Sequence, residues 1–124
     1  MPKILLVDDS LVTREVMKVY LVSPDVLLFD ASNGEQAMEL IRREKPDLVL
    51  ADMRMPRLDG PGLCRALQTD PDRSLAAIPV VILTSSRDAE SRQTCLSAGA
   101  REVLTKPVQP VDLLAAVNRQ LQRT

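Results

Sequence analysis

Short apolar runs alternate with amphipathic stretches along the whole chain. Ile4-Leu5-Leu6-Val7 is continuously apolar, the pattern of a strand buried on both faces. Ser10 is placed to cap a helix in which Val12, Val16, Val19 and Tyr20 recur at helical spacing, and Pro24 ends it. A second strand is predicted over Val26–Phe29, then a turn at Ser32-Asn33-Gly34 and a helix over 35–44 with Ala37, Leu40 and Ile41 inward. Leu48–Ala51 reads as a third strand, Met53–Gly62 as a loop rich in Pro and Gly, and 62–69 as a helix. Pro71 opens a polar connection. The fourth strand lies within Ile78–Leu83, with Pro79 near its start, where a missing N–H is tolerated. A helix over 88–97 stops at Gly99, a favourable C-cap. Val103-Leu104 marks a short fifth strand, and Asp112–Leu121 a last helix with Leu114, Val117 and Leu121 on one face.

Five strand–helix alternations with buried-looking strands predict a doubly wound, five-stranded parallel α/β sheet with helices on both faces. In such sheets ligands bind outside the carboxyl ends of the strands. The first predicted strand ends in Asp8-Asp9, the third in Asp52, the fourth in Thr84 and the fifth in Lys106-Pro107. The second ends in Asp30-Ala31, a less distinctive pair. The concentration of polar chemistry at four strand ends is the main functional signal.

Composition narrows what that edge can do. With 124 residues, the chain has room for one compact domain. No apolar run approaches the roughly 20 residues that span a bilayer, and MPKILLVDDS turns acidic before a signal-peptide core forms. A cytoplasmic protein with no membrane partner is therefore expected. The net charge of −1 comes from interspersed acids and bases, and Tyr20 and Phe29 are the only aromatics, so no direct nucleic-acid partner is expected either. Histidine is absent, which excludes a Ser-His-Asp triad, a His general base and a His metal ligand. Cys64 and Cys95 lie too far apart for a CxxC motif and read as small buried hydrophobes. Carboxylate, lysine, hydroxyl and an oxygen-seeking metal remain.

Asp8 and Asp9 alone would suit the start of a helix, and Asp52 alone a loop. Convergence on one sheet edge changes that reading, because two carboxylates about 4 Å apart repel by roughly 4 kcal/mol at an effective dielectric near 20. Three carboxylates and Lys106 carry a local charge of −2, which a divalent cation neutralises. An all-oxygen donor set favours a hard ion, Mg²⁺ with retained waters. Aspartate nucleophile, divalent ion, lysine and the Thr84 hydroxyl together suit phosphoryl transfer to a carboxylate.

The order and spacing of Asp8-Asp9, Asp52, Met55-Pro56-x-x-Asp59-Gly60, Thr84 and Gly99-Ala100-x-x-x-x-x-Lys106-Pro107 resemble the response-regulator receiver domain of bacterial two-component signalling. The resemblance covers essentially the whole chain and implies one receiver domain over residues 1–124, either a stand-alone receiver acting by protein contact or the receiver part of a larger protein. It implies the flavodoxin-like strand order 2-1-3-4-5. It also implies that Asp52 is the phosphoacceptor, served by a sensor histidine kinase or a small donor such as acetyl phosphate. Asp9, Asp52 and the backbone carbonyl of Arg54 would bind Mg²⁺ directly, and Asp8 through water. Lys106 would pair with Asp52 and then with the phosphoryl group, Thr84 would close on the phosphate, and the Lys106-Pro107 peptide would be cis. The implied protein is a switch that catalyses only its own phosphorylation and dephosphorylation. Its output would go to a downstream protein through the face formed by the fourth helix, fifth strand and fifth helix.

Two positions depart from the family pattern. Val103 stands three residues before the lysine, where the family usually has Tyr or Phe, so the usual aromatic switch is missing. Arg54, two residues after the phosphoacceptor, brings a long cation to the site entrance. The main alternative is a receiver-like interaction module that works without phosphorylation, which Val103 favours and the intact acids, Thr84 and Lys106 oppose. A metal-dependent aspartyl phosphatase usually separates its two acids by one residue, whereas Asp8 and Asp9 are adjacent. A flavin carrier would want a glycine- and hydroxyl-rich phosphate loop where this chain places two acids.

Overall fold

The computed structural model describes residues 1–121; the chain end at Gln122-Arg123-Thr124 lies outside the described residues. Five strands, β1 (Lys3–Val7), β2 (Leu27–Ala31), β3 (Leu48–Asp52), β4 (Val80–Thr84) and β5 (Glu102–Thr105), alternate with five α-helices. The helices are α1 (Leu11–Leu21), α2 (Gly34–Glu44), α3 (Gly60–Thr69), α4 (Ala89–Ala98) and α5 (Pro110–Gln120). All strand pairs are parallel, in the order β2-β1-β3-β4-β5. The expected doubly wound α/β sheet and its 2-1-3-4-5 order are thus present.

The apolar runs are strands because successive side chains serve opposite faces of the sheet. Ile4, Leu6, Leu48, Leu50, Val81 and Leu83 pack with Met17 and Leu21 of α1 and Leu113 and Val117 of α5. Leu5, Val7, Val49, Ala51, Val80 and Ile82 pack on the other face with Ile41 of α2, Leu63 and Leu67 of α3, and Cys95 of α4. Both cysteines are buried and free, as expected.

Helix starts follow side-chain caps. Ser10 accepts from the Thr13 N–H, Asn33 from Gln36, Asp59 from Gly62 and Asp88 from Ser91. Helices α3 and α5 begin earlier than their sequence pattern predicts, each with proline in the first turn, where its lost N–H breaks no helical bond. Gly99, at φ 120°, closes α4 as predicted.

Three elements differ from the sequence reading in what they form or which face they bury. The connection after Pro71 contains a 3₁₀ turn over Arg73–Ala77, pinned by fully buried Leu75 and capped by Asp72. In α1 the helical spacing is real, but Val12 (72% exposed), Val16, Val19 (71%) and Tyr20 face outward, and Met17 and Leu21 form the buried stripe. In α5, likewise, Leu114 is exposed and Leu113 takes the inward position.

The loop between β3 and α3 leans on the start of α2. A methyl group on Gly34 would lie 2.2 Å from the Leu58 carbonyl oxygen, a backbone atom that cannot step aside. Gly34→Ala is therefore expected to destabilise the protein by about 1–3 kcal/mol, the usual cost of overpacking, measured as a lowered urea midpoint.

Candidate functional site

Sheet order reverses between β1 and β3, which run side by side while the chain goes to β2 from one and to β4 from the other. Val7 pairs with Ala51, so the residues that follow them emerge together. Carboxylate oxygens of Asp8, Asp9 and Asp52 all lie within 4.8 Å of one another. Asp8 is buried, Asp52 half-buried and Asp9 exposed, so the cluster is anchored within the fold and open at its rim.

Lys106 comes from the opposite side. Its Nζ lies 3.1 Å from Asp52 Oδ1 and 3.3 Å from Asp8 Oδ2. The Lys106 N–H donates to the Thr84 carbonyl at 2.7 Å, which locks the ends of β4 and β5 together, and the Lys106-Pro107 peptide is cis as expected. Burial by itself would lower the Lys106 pKa, but the bond to Asp52 and the charges of Asp52 and Asp8 raise it overall. Burial pushes the Asp52 carboxyl above its ordinary value; Asp8 and Asp9 push the same way, and Lys106 only partly offsets them.

Such a donor set fits a hard divalent cation: three carboxylates, one buried, with no nitrogen or sulfur ligand among them. With Lys106 the local charge is −2, which a divalent cation would neutralise, and so relieve the part of the Asp52 shift that Asp8 and Asp9 add to burial. Asp9→Ala is therefore expected to leave the melting temperature of the metal-free protein unchanged or higher while weakening Mg²⁺ binding at least tenfold. Thermal melts in EDTA and a calorimetric Mg²⁺ titration check both halves.

Thr84 is buried at the end of β4, and its Oγ1 accepts from the Ser86 N–H at 3.1 Å. From there a polar chain runs outward. Ser86 Oγ donates to Asp88 Oδ2 at 2.7 Å and lies 3.2 Å from Ser91 Oγ, and Asp88 Oδ1 accepts from the Ser91 N–H at 2.6 Å. Thr84 is thus wired to the N-terminus of α4. Sequence reasoning places the Thr84 hydroxyl at this strand end; the hydrogen bonds that carry it on to Asp88 and Ser91 emerge only from the structure. Arg54 is exposed in the β3–α3 loop. The Asp88 carboxyl is held below its ordinary value first by the Ser91 N–H, then by the Ser86 and Ser91 hydroxyls, with the Arg54 charge adding to them. Val103 is 4% exposed and packs in the core with Ile82 and Cys95. It offers no ring at the surface of β5.

A groove of about 470 Å³ runs from Lys106 and Ser85 between α1 and α5, walled by Val12, Val16, Tyr20 and Leu113. Its α1 wall continues into the exposed valines. Helix α4, by contrast, shows almost only polar side chains to solvent, with Leu96 the one large apolar exception among the described residues.

Among the described residues no helix is long and apolar enough to cross a membrane. Residues 4–118 match the family model described as the response regulator receiver domain. A protein of Guillardia theta named as a probable transcriptional regulator, ycf27, is 36% identical over 122 residues, 98% of this chain and 46% of that protein. The chain thus spans about half the length of the curated relatives it matches. Charge and composition argue against nucleic acid as a partner, but a relative named as a transcriptional regulator gives that expectation no support. The receiver domain of a signal transduction histidine kinase from Syntrophus aciditrophicus superposes with a TM-score of 0.88 at 35% identity, covering 98% of this chain and 91% of that one. That of sensor histidine kinase PA1611 from Pseudomonas aeruginosa PAO1 does so at 0.87 and 29% identity, covering 98% of each chain, and holds a magnesium ion in its active-site cleft. Sheet order, strand-end chemistry and sequence agree, and the chain belongs to the response regulator receiver domain family of two-component systems.

Proposed function

We propose that this chain is a phosphorylation-controlled switch in which Asp52 accepts a phosphoryl group from a sensor histidine kinase or a small donor such as acetyl phosphate. The observation that carries the reading is Lys106 Nζ, 3.1 Å from Asp52 inside a cluster of three carboxylates at the switch point of the sheet. A carboxylate oxygen of Asp52 forms a bond to phosphorus as the donor's N–P or O–P bond breaks, releasing histidine or acetate. Asp9, Asp52 and the Arg54 carbonyl would hold Mg²⁺, with Asp8 acting through water, on the grounds of the hard donor set described above. Bound there, the ion supplies charge neutralisation for the carboxylates and the incoming phosphoryl oxygens.

Lys106 holds Asp52 in place beforehand and then follows the charge onto the phosphoryl group. Thr84 Oγ1 exchanges its bond from the Ser86 N–H for a hydroxyl donation to a phosphoryl oxygen. That exchange pulls on Ser86 and hence on the Asp88 cap of α4. The apolar α1 face beside the groove supports docking of the donor protein there, since it is where aliphatic surface lies exposed next to Lys106. Output through the face of α4, β5 and α5 would then draw on the polar side chains that α4 shows to solvent.

Beryllofluoride, a phosphoryl mimic, tests the reading. In the presence of Mg²⁺ it is expected to shift the amide resonances of Asp52, Thr84, Ser86 and Lys106 together. Equal shifts with EDTA in place of Mg²⁺, or none at Thr84 and Ser86, would count against it.

A further inference from the structure

Strand β1 ends at Val7, and the Asp8 N–H continues the ladder to the Ala31 carbonyl at 3.1 Å. The Asp8 carbonyl has left the ladder. Arg14, one turn into α1, takes it instead, with Nη1 at 2.5 Å. Through Nε the same guanidinium binds Asp30 Oδ2 at 2.9 Å, at the end of β2, and Lys18 Nζ sits 3.1 Å from that carboxylate oxygen. The Arg14 side chain is only 13% exposed. It therefore ties α1 to the backbone of Asp8 at the end of β1 and to Asp30 in β2.

The two acids of the Asp8-Asp9 pair are held very differently. The Asp8 carboxylate is fixed by Lys106 at 3.3 Å and by the Ser10 N–H at 2.9 Å. Asp9 is exposed, and its carboxylate has no hydrogen bond or ion pair among the described residues. Its direction is set by the backbone, and the peptide plane that carries it has the Asp8 carbonyl as its oxygen. Arg14 grips that oxygen.

We infer that Arg14, braced by Asp30, is a positioning residue that aims Asp9 by fixing the Asp8-Asp9 peptide, and thereby sets the affinity of the acid cluster for Mg²⁺. The inference rests on the metal reading above. Arginine suits the task because its planar fork presents Nε and Nη1 at a fixed angle to two acceptors, whereas lysine brings one nitrogen on a flexible stem. Charge alone predicts the opposite sign. A cation beside the cluster repels Mg²⁺, so an electrostatic role would make its removal tighten binding.

Calorimetric and amide-shift titrations with Mg²⁺ on the full chain, without any phosphodonor, separate these accounts. Arg14→Lys, which keeps the charge, and Arg14→Gln, which removes it, are both expected to weaken Mg²⁺ binding by about 10- to 100-fold, the usual effect of losing a partner that orients a ligand. Asp30→Ala is expected to weaken it in the same direction, which covers the case in which an Arg14 variant folds poorly. Placed on Asp9→Ala, Arg14→Lys should have no further effect on affinity, because the residue it aims is gone. A purely structural role would lower affinity equally in both backgrounds. Wild-type affinity in the Arg14→Lys protein, tighter binding in Arg14→Gln, or full additivity with Asp9→Ala would overturn the assignment. Failure of the wild-type chain itself to bind Mg²⁺ would instead remove the metal reading, and this inference with it.

Discussion

Asparagine at position 52 is expected to abolish phosphoryl uptake and at the same time to raise the melting temperature of the metal-free protein. The first effect is all-or-none, because an amide has no anionic oxygen to attack phosphorus. The second follows from the electrostatics of the cluster. Burial, together with Asp8 and Asp9, raises the Asp52 carboxyl above its ordinary value despite Lys106. The folded state therefore holds that proton more tightly than the unfolded chain does. The stabilising contribution of a raised acid is complete below the ordinary carboxylate pKa and is lost as pH climbs through it to the raised value. At neutral pH the ionised group costs stability, and Asp52→Asn relieves that cost; in acid, where wild-type Asp52 is protonated, the advantage disappears. Melts without Mg²⁺ should show a gain of a few degrees near pH 7 that fades below about pH 4. A variant that melts lower at neutral pH would show that the Lys106–Asp52 pair outweighs the repulsion.

The second large effect concerns the switch. Thr84→Ala is expected to remove most of the coupling between the phosphorylation site and α4, whereas Val103→Ala changes it little. Allosteric couplings are typically about 1–3 kcal/mol, a factor of roughly 5 to 150 in partner affinity. The path available here runs from Thr84 Oγ1 to Ser86, Asp88 and Ser91, each within hydrogen-bond distance of the next. Alanine at 84 cuts it at its origin. Val103 is buried, stiff at χ1 and nearly the same shape in each rotamer, so it makes a poor two-state element. Val103→Ala should melt lower, since it empties part of a packed core, yet alter the coupling by no more than about 0.5 kcal/mol. Shifts of α4 amides with and without beryllofluoride, at matched occupancy of the site, supply the measurement. Loss of the response in Val103→Ala with its survival in Thr84→Ala would reverse the assignment.

Much of this was legible in the chain because buried parallel strands write themselves as apolar runs, and the residues that end those runs must meet at one edge. Asp8, Asp9, Asp52, Thr84 and Lys106 could be placed together for that reason alone. Which face of an amphipathic helix is buried was harder to read. Helix α1 carries two apolar stripes, and the valine stripe is the one left in solvent, while the α/β packing needs only Met17 and Leu21. Short 3₁₀ segments such as Arg73–Ala77 have too few residues to show a period. The Arg14 bond to the Asp8 carbonyl was invisible for a different reason: it joins a side chain to a backbone atom, and backbone acceptors leave no trace in a sequence. Asp30 looked unremarkable until its partner was known.

In the proposed mechanism the acid cluster, charged with Mg²⁺, directs a phosphoryl group to Asp52. Intact-mass analysis of the wild-type chain after incubation with acetyl phosphate, in Mg²⁺ and in EDTA, tests it most directly. One phosphoryl increment is expected in Mg²⁺ alone, mapping to the peptide that contains Asp52. An unmodified chain in Mg²⁺, an equal increment in EDTA, or a phosphoryl group on any other residue would overturn that mechanism.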